Sequence, residues 1–294
     1  MRAVFGIREA DRLDQLRSVL RETLDWSVRP SRILVFVALG PRRIGALPAF
    51  KRVFEPLDEL IFAEIRQRRE DPELADRDDI LSMLVQARHE DGNPMSDQEL
   101  RDELMTLLVA GHETTATALA WAVERLLRHP DKLERLRAET EAGEDEYLDA
   151  VVKETLRLRP VLPIVLRMLK EPMEIGGWSL PAGVSVAPCI YLMHRDPEIY
   201  PEPSRFRPER FLEEPAGTYT WIPFGGGVRR CLGGSFAIFE MKTVLEALAR
   251  RARLRPEAPA SSERVRRRAV TWTPSRGAEA VIESRTEAPM EVVH

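Results

Sequence analysis

Cysteine is scarce in this chain. Its 294 residues include two, Cys189 and Cys231. Two thiols cannot build a disulfide framework and fit a reducing compartment. No Cys-x-x-Cys or His-x3-His pair occurs, so a structural zinc site lacks its ligands. Long apolar runs are missing as well. The longest, Ile33 to Leu39, falls far short of the roughly 20 residues a membrane-spanning helix needs. No signal-peptide pattern follows Met1, so the expectation is a cytoplasmic chain without a membrane anchor. Nor is there an excess of one charge. A net charge of -4 with 31% charged residues carries no nucleic-acid signature. Internal repeats are absent. With a hydrophobic fraction of 44%, the chain can bury a substantial core, as one large domain or two small ones.

What is present centres on Phe224-Gly225-Gly226-Gly227-Val228-Arg229-Arg230-Cys231-Leu232-Gly233-Gly234. A helix-forming segment, Ser235 to Arg250, follows at once. Neighbouring arginines and a helix N-terminus both favour a thiolate over a thiol. The glycines let the backbone pass close to something flat and bulky. A nucleotide loop is excluded, because no Gly-Lys step and no Gly-x-Gly-x-x-Gly occurs here. A nucleophilic cysteine would want a histidine base, and none of the five histidines is nearby in sequence. What remains for a single thiolate is axial ligation of haem iron. The plain alternative is a small buried cysteine in a glycine-rich turn.

The spacing Phe224-x-x-Gly227-x-Arg229-x-Cys231-x-Gly233 resembles, in full, the haem-binding signature of the cytochrome P450 family. Three further stretches carry the same resemblance. Ser96-Asp97-Gln98-Glu99 is a capping box that opens a helix running to about Arg128, roughly 45 Å long. In its middle stands Ala110-Gly111-His112-Glu113-Thr114-Thr115. Glycine and threonine are poor helix formers, and a threonine hydroxyl can open a local distortion. A solvated patch is the alternative. The stretch looks like the family's oxygen-activation motif, in which Thr114 would hydrogen-bond dioxygen, Glu113 would help deliver protons and Gly111, after Ala110, would widen the groove. His112 receives no role. Glu154 and Arg157, three apart on the helix Tyr147 to Leu158, read either as a surface ion pair or as the family's Glu-x-x-Arg motif. Its third member would be Arg210, in Phe206-Arg207-Pro208-Glu209-Arg210-Phe211. The apolar segment Leu162 to Leu166 ends in Arg167, which the resemblance places on a haem propionate, with Arg229 as a second partner.

Elsewhere the pattern is helical at the N-terminal end. Leu13, Leu16, Leu20 and Leu24 form one stripe, and Phe50, Val53, Phe54, Leu57, Leu60, Ile61 and Ile65 another, with Pro56 as a break or start. A short helix is expected over Asp78 to Arg88, and a turn at Asp91-Gly92-Asn93-Pro94. Met173 to Pro188 reads as a small sheet with turns at Gly176-Gly177 and Pro181-Ala182-Gly183. His194-Arg195-Asp196-Pro197 is loop, and Cys189 a small buried hydrophobe. Arg264 to Arg268 reads as solvated surface. A hairpin is expected beyond it, with strands Ala269 to Thr273 and Ala280 to Ile282, then a mobile tail over 283–294.

The resemblance implies a mainly α fold with small β-sheets, one domain over 1–294 built around haem b with an axial cysteine thiolate. It implies insertion of one oxygen atom from O2 into a small apolar organic substrate, with electrons from a ferredoxin or flavoprotein. Family members carry more chain before the central helix, so the early helices and strands are expected to be lacking here. That leaves an alternative from another class, an inactive remnant or a haem-binding or interaction protein.

Overall fold

Leucines at helical spacing organise the N-terminal region. The computed structural model describes residues 2–7, 9–27, 31, 32, 35, 43, 47–257 and 263–285. Ile33 to Leu39, apart from Val35, lies outside them. The chain divides into two compact units, Met1–His112 and Glu113–His294. In the first, α1 (Arg2–Phe5), α2 (Ala10–Ser27), α3 (Pro48–Arg69), α4 (Ile80–Gln86) and the start of α5 (Asp97–Leu127) share one core. Leu13, Leu16 and Leu20 meet Leu57, Ile61, Ile65, Leu100 and Leu104 there, all buried. Burying a side chain of this kind contributes about 1.5–3 kcal/mol.

Pro56 does not break α3, contrary to the sequence expectation. It sits on the exposed face, so the carbonyl left without its N–H can turn to water while the apolar stripe stays packed on the other side. The short helix is trimmed to Ile80–Gln86: Asp79 caps its start, accepting from the Ser82 N–H at 3.0 Å, and the backbone turns extended at Ala87. Arg68, buried, pairs with Asp79 and donates to the Phe5 carbonyl at 2.6 Å. Burial opposes ionisation of Asp79, but the Ser82 N–H and the Arg68 guanidinium outweigh it and hold the carboxyl below its ordinary range.

The second unit packs the end of α5 with α6 (Pro130–Ala142), α7 (Glu146–Leu158) and α10 (Gly234–Arg251). Two short helices, α8 (Ile190–Met193) and α9 (Arg210–Glu213), lie between α7 and α10 in sequence. Ala118, Ala122, Leu126, Val151, Val152, Met241 and Leu245 form the centre of this core. The strands are β1 (Arg167–Met168), β2 (Met173–Ile175), β3 (Trp178–Leu180), β4 (Ser185–Val186), β5 (Ala252–Pro256), β6 (Val265–Arg268), β7 (Thr271–Pro274) and β8 (Ala280–Arg285). They form antiparallel pairs β1–β4, β2–β3, β5–β8 and β6–β7. Gly176 and Gly177, at φ +57° and +79°, make the turn between β2 and β3. The class is mainly helical with small sheets, as the motifs imply.

The expected C-terminal hairpin is not formed. The arginine-rich segment is itself a strand, β6, and pairs with β7 through a turn at Ala269 and Val270, Ala269 having φ +51°. β8 instead pairs with the distant β5, setting Leu254 opposite Ile282. All four residues of β6 are exposed, so it has no apolar alternation to betray it. β8 extends through Arg285, three residues into the expected tail; residues 286–294 lie outside those described.

Gly6 has φ +61°, and a Cβ there would lie 2.3 Å from an Asp79 carboxylate oxygen. Gly92 has φ +83° but open space around it. Gly92→Ala should cost only the left-handed backbone term, about 1–2 kcal/mol. Gly6→Ala should cost about 1–3 kcal/mol more through overpacking. Urea unfolding midpoints check this; equal losses would place Asp79 away from Gly6.

Candidate functional site

The glycine–cysteine loop is built by its own backbone. Gly225 and Gly227 take φ +71° and +65°, conformations costly for any residue with a side chain. The Cys231 N–H donates to the Phe224 carbonyl at 2.9 Å, and the Gly225 N–H to Ile222 at 2.9 Å. A 3-10 turn over Gly227–Arg229 lies between, and α10 begins three residues after the cysteine. A Cβ on Gly234 would come within 3.2 Å of the Phe224 ring. The two ends of the loop are therefore in close approach. Cys231 and Arg229 are exposed, and so are Val228 and Leu232, at 101% and 93%. Beside Gly225, Gly226, Gly227 and Gly233 an added Cβ would meet nothing within 4 Å. A thiol with bare backbone and uncovered apolar side chains around it suits a broad, flat, apolar group.

The residues before the loop fasten it to α7. Trp221 donates from Nε1 to the Lys153 carbonyl at 3.1 Å and stands edge-on to Phe224, ring centroids 6.1 Å apart. Tyr200 donates its hydroxyl proton to the Thr220 carbonyl at 3.0 Å. The Ile222 N–H donates to His194 Nε2 at 3.0 Å.

Next along α7 lies a buried charge network. Glu154 and Arg157 are both fully buried, and Arg157 binds the carboxylate through Nε at 2.7 Å and Nη2 at 2.9 Å. Arg210 adds its Nε at 3.2 Å, and the Arg207 N–H donates to Glu154 at 2.8 Å. The remaining Arg157 donors go to carbonyls of His194, Pro203 and Arg205 at 2.6, 2.9 and 3.2 Å. This geometry excludes the surface-pair reading of Glu154 and Arg157. Glu209 anchors the same segment from its other side, accepting from Lys132 at 2.8 Å and Tyr147 at 3.0 Å.

The central helix is assigned without a break through Ala110–Thr115. Ala110, Gly111 and His112 are exposed, whereas Thr115, Thr117, Ala118, Trp121 and Ala122 are buried. Ala110 and Gly111 fall in the first unit, Glu113 and Thr114 in the second. Glu113 meets Arg268 at 3.3 Å, so the arginine cluster is not purely solvated surface. Arg167 lies on β1, half-buried, with Nη1 on the Leu166 carbonyl at 2.9 Å. Cys189 is half-buried, its Sγ 3.8 Å from the Pro163 carbonyl. Among the described residues no cluster of three or more His, Cys, Asp or Glu could hold a metal ion. His194, Trp221 and Arg268 are the residues that sequence reasoning missed. None carries a local pattern, since each acts across a long sequence separation.

Removing Glu154 would leave Arg157 buried without its carboxylate. Glu154→Ala should destabilise the chain by about 3–5 kcal/mol, far more than Glu202→Ala, whose pair with Arg205 is exposed. Thermal and urea unfolding of both variants check this; similar small losses would show that the buried pair is not needed.

The family model for cytochrome P450 matches residues 6–277. Cytochrome P450 135B1 of Mycobacterium bovis is 46% identical over 284 residues, covering 95% of this chain and 60% of that protein. Cytochrome P450 137 of Mycobacterium tuberculosis is 43% identical over 280 residues, covering 94% and 58%. The solved structure of retinoic acid-bound cyanobacterial CYP120A1 aligns with a TM-score of 0.77 at 26% identity, covering 96% of this chain and 65% of that one. The chain thus spans about three fifths of the length of the curated relatives it matches. With a family match from residue 6 to residue 277, a common fold and relatives above 40% identity, this chain belongs to the cytochrome P450 family.

Proposed function

We propose that this chain carries the haem-thiolate and oxygen-activating part of a monooxygenase that inserts one oxygen atom of O2 into a small apolar organic substrate. The observation that carries this reading is the loop from Phe224 to Gly234. It presents an exposed thiol on backbone-lined, open ground, the donor and the space that haem b requires. When bound, haem supplies the O2 and one-electron chemistry, with thiolate electron density favouring O–O cleavage.

Each residue then has a defined task. Cys231 Sγ would ligate the iron. Arg229 and Arg167 would neutralise the propionates, and charge-assisted bonds of this kind contribute about 1.5–3 kcal/mol each. The small residues Ala110 and Gly111 keep the helix surface low. Thr114 would hold a proton at its hydroxyl for the oxygen, and Glu113, fixed by Arg268, would move protons towards it. Glu154, Arg157 and Arg210 bind no substrate; they hold the segment leading to the loop. Electrons would come from a ferredoxin or a flavoprotein. The retinoic acid bound by the cyanobacterial relative is largely apolar, which supports the substrate class.

The test is the absorption spectrum of the haem-supplemented, reduced, CO-bound chain. A red-shifted Soret band of the thiolate type is expected, lost in Cys231→Ala and kept in Cys189→Ala. Loss in the Cys189 variant instead would overturn the assignment.

A further inference from the structure

His194 is fully buried, follows α8 directly and lies between the two structures just described. Its carbonyl accepts from Arg157 Nη1 at 2.6 Å, and its ring Nε2 accepts the Ile222 N–H at 3.0 Å. Ile222 in turn accepts the Gly225 N–H at 2.9 Å, and the Cys231 N–H closes on Phe224 at 2.9 Å. A continuous run of hydrogen bonds therefore leads from Glu154 through Arg157, His194 and Ile222 to the foot of the cysteine loop. We infer that His194 is a positioning residue, whose unprotonated Nε2 ties the start of the Cys231 loop to the buried Glu154–Arg157 pair. Its value for chemistry rests on the haem-thiolate reading; its geometry does not.

The direction of the bond sets the chemistry. A backbone N–H can only donate, so Nε2 must carry a lone pair, and the ring must be the neutral tautomer protonated at Nδ1. The surroundings enforce neutrality. Burial first, then the Arg157 charge, lower the imidazole pKa to about 4, with a backbone interaction from Arg157 opposing. Tyr200 meets the ring nearly edge-on at 6.2 Å, and Arg195, next in the chain, sends Nη2 to the Leu158 carbonyl at 3.1 Å. None of these named groups is a carboxylate. Protonation would set one N–H against another, beside a guanidinium. Because the folded-state pKa is depressed, the contribution to stability is complete above the ordinary histidine value of 6.5 and is lost as pH falls towards about 4.

Two substitutions separate the acceptor from the volume. His194→Gln can place an amide oxygen near the Nε2 position and cannot be protonated in this range. His194→Phe fills the space with no acceptor. Amide hydrogen exchange of residues 222–234 in the full chain at pH 7 is the first readout. The Phe variant should exchange on the order of 10-fold faster, as loss of one buried acceptor implies, while the Gln variant stays near the parent. Parent-like protection in the Phe variant, or a folded Gln variant as open as Phe, would overturn the proposal. The second readout needs no variant. Imidazole nitrogen NMR of the parent should show Nδ1 protonated and Nε2 bare, and a protonated Nε2 at pH 7 would overturn it. Failure of the parent chain to give a thiolate-type haem spectrum would refute the function reading alone, because exchange and tautomer are measured without haem.

Discussion

A carboxylate with no exposure to water is the constraint on which the second unit depends. A buried carboxylate needs donors for its lone pairs, since an unpaired buried charge is far more costly than a buried pair. Arg157, Arg210 and the Arg207 N–H meet that need. Arg157 must then place its other donors, and does so on the carbonyls of His194, Pro203 and Arg205. Arg210 reaches the Pro201 carbonyl at 3.1 Å. The stretch from 194 to 210 contains almost no regular secondary structure. Local turns satisfy part of its backbone, as where Ile199 and Tyr200 donate to the Asp196 carbonyl and Arg205 to Glu202. The arginines around Glu154 take the carbonyls of His194, Pro201, Pro203 and Arg205, so one buried charge ties together turns that helix and sheet ladders do not reach.

That order is passed on to the glycine loop. Trp221 and Ile222 are held by α7 and His194, and the loop closes two residues later on Phe224. Glycines make the turns possible but contribute no side-chain packing, so such a loop is only as fixed as its ends. The close approach of Gly234 to the Phe224 ring fixes one end, and the α7 and His194 anchors fix the other. In the proposed function this is how a flexible sequence holds a thiol in one place.

How much of this could be read in advance depended on range. The capping box at Ser96 and Glu99 forms as its spacing implies, with the Ser96 N–H donating to Glu99 at 2.7 Å, because all its partners lie within one turn. The stripe of Leu13, Leu16 and Leu20 was legible for the same reason, and the helix Glu146–Leu158 nearly to the residue. Pro56 was misjudged because only tertiary packing shows which face of α3 it occupies. The pairing of β6 with β7 was hidden by exposed arginines on both faces, and β5 with β8 by the long separation. The same limit hid His194 and the Glu113–Arg268 pair: a histidine in a loop and an arginine in a basic run acquire meaning only from what folding brings beside them. The motifs pointed to the chemistry; the hydrogen bonds that steady it had to come from the structure.

The most direct measurement is iron X-ray absorption on the haem-loaded chain, comparing the parent with a folded Glu154→Gln variant. A sulfur neighbour at the iron is expected in the parent, at clearly reduced occupancy in Glu154→Gln although Cys231 is untouched. Only nitrogen and oxygen neighbours in the parent, or full sulfur occupancy in both proteins, would contradict the dependence of the thiol's placement on the buried carboxylate.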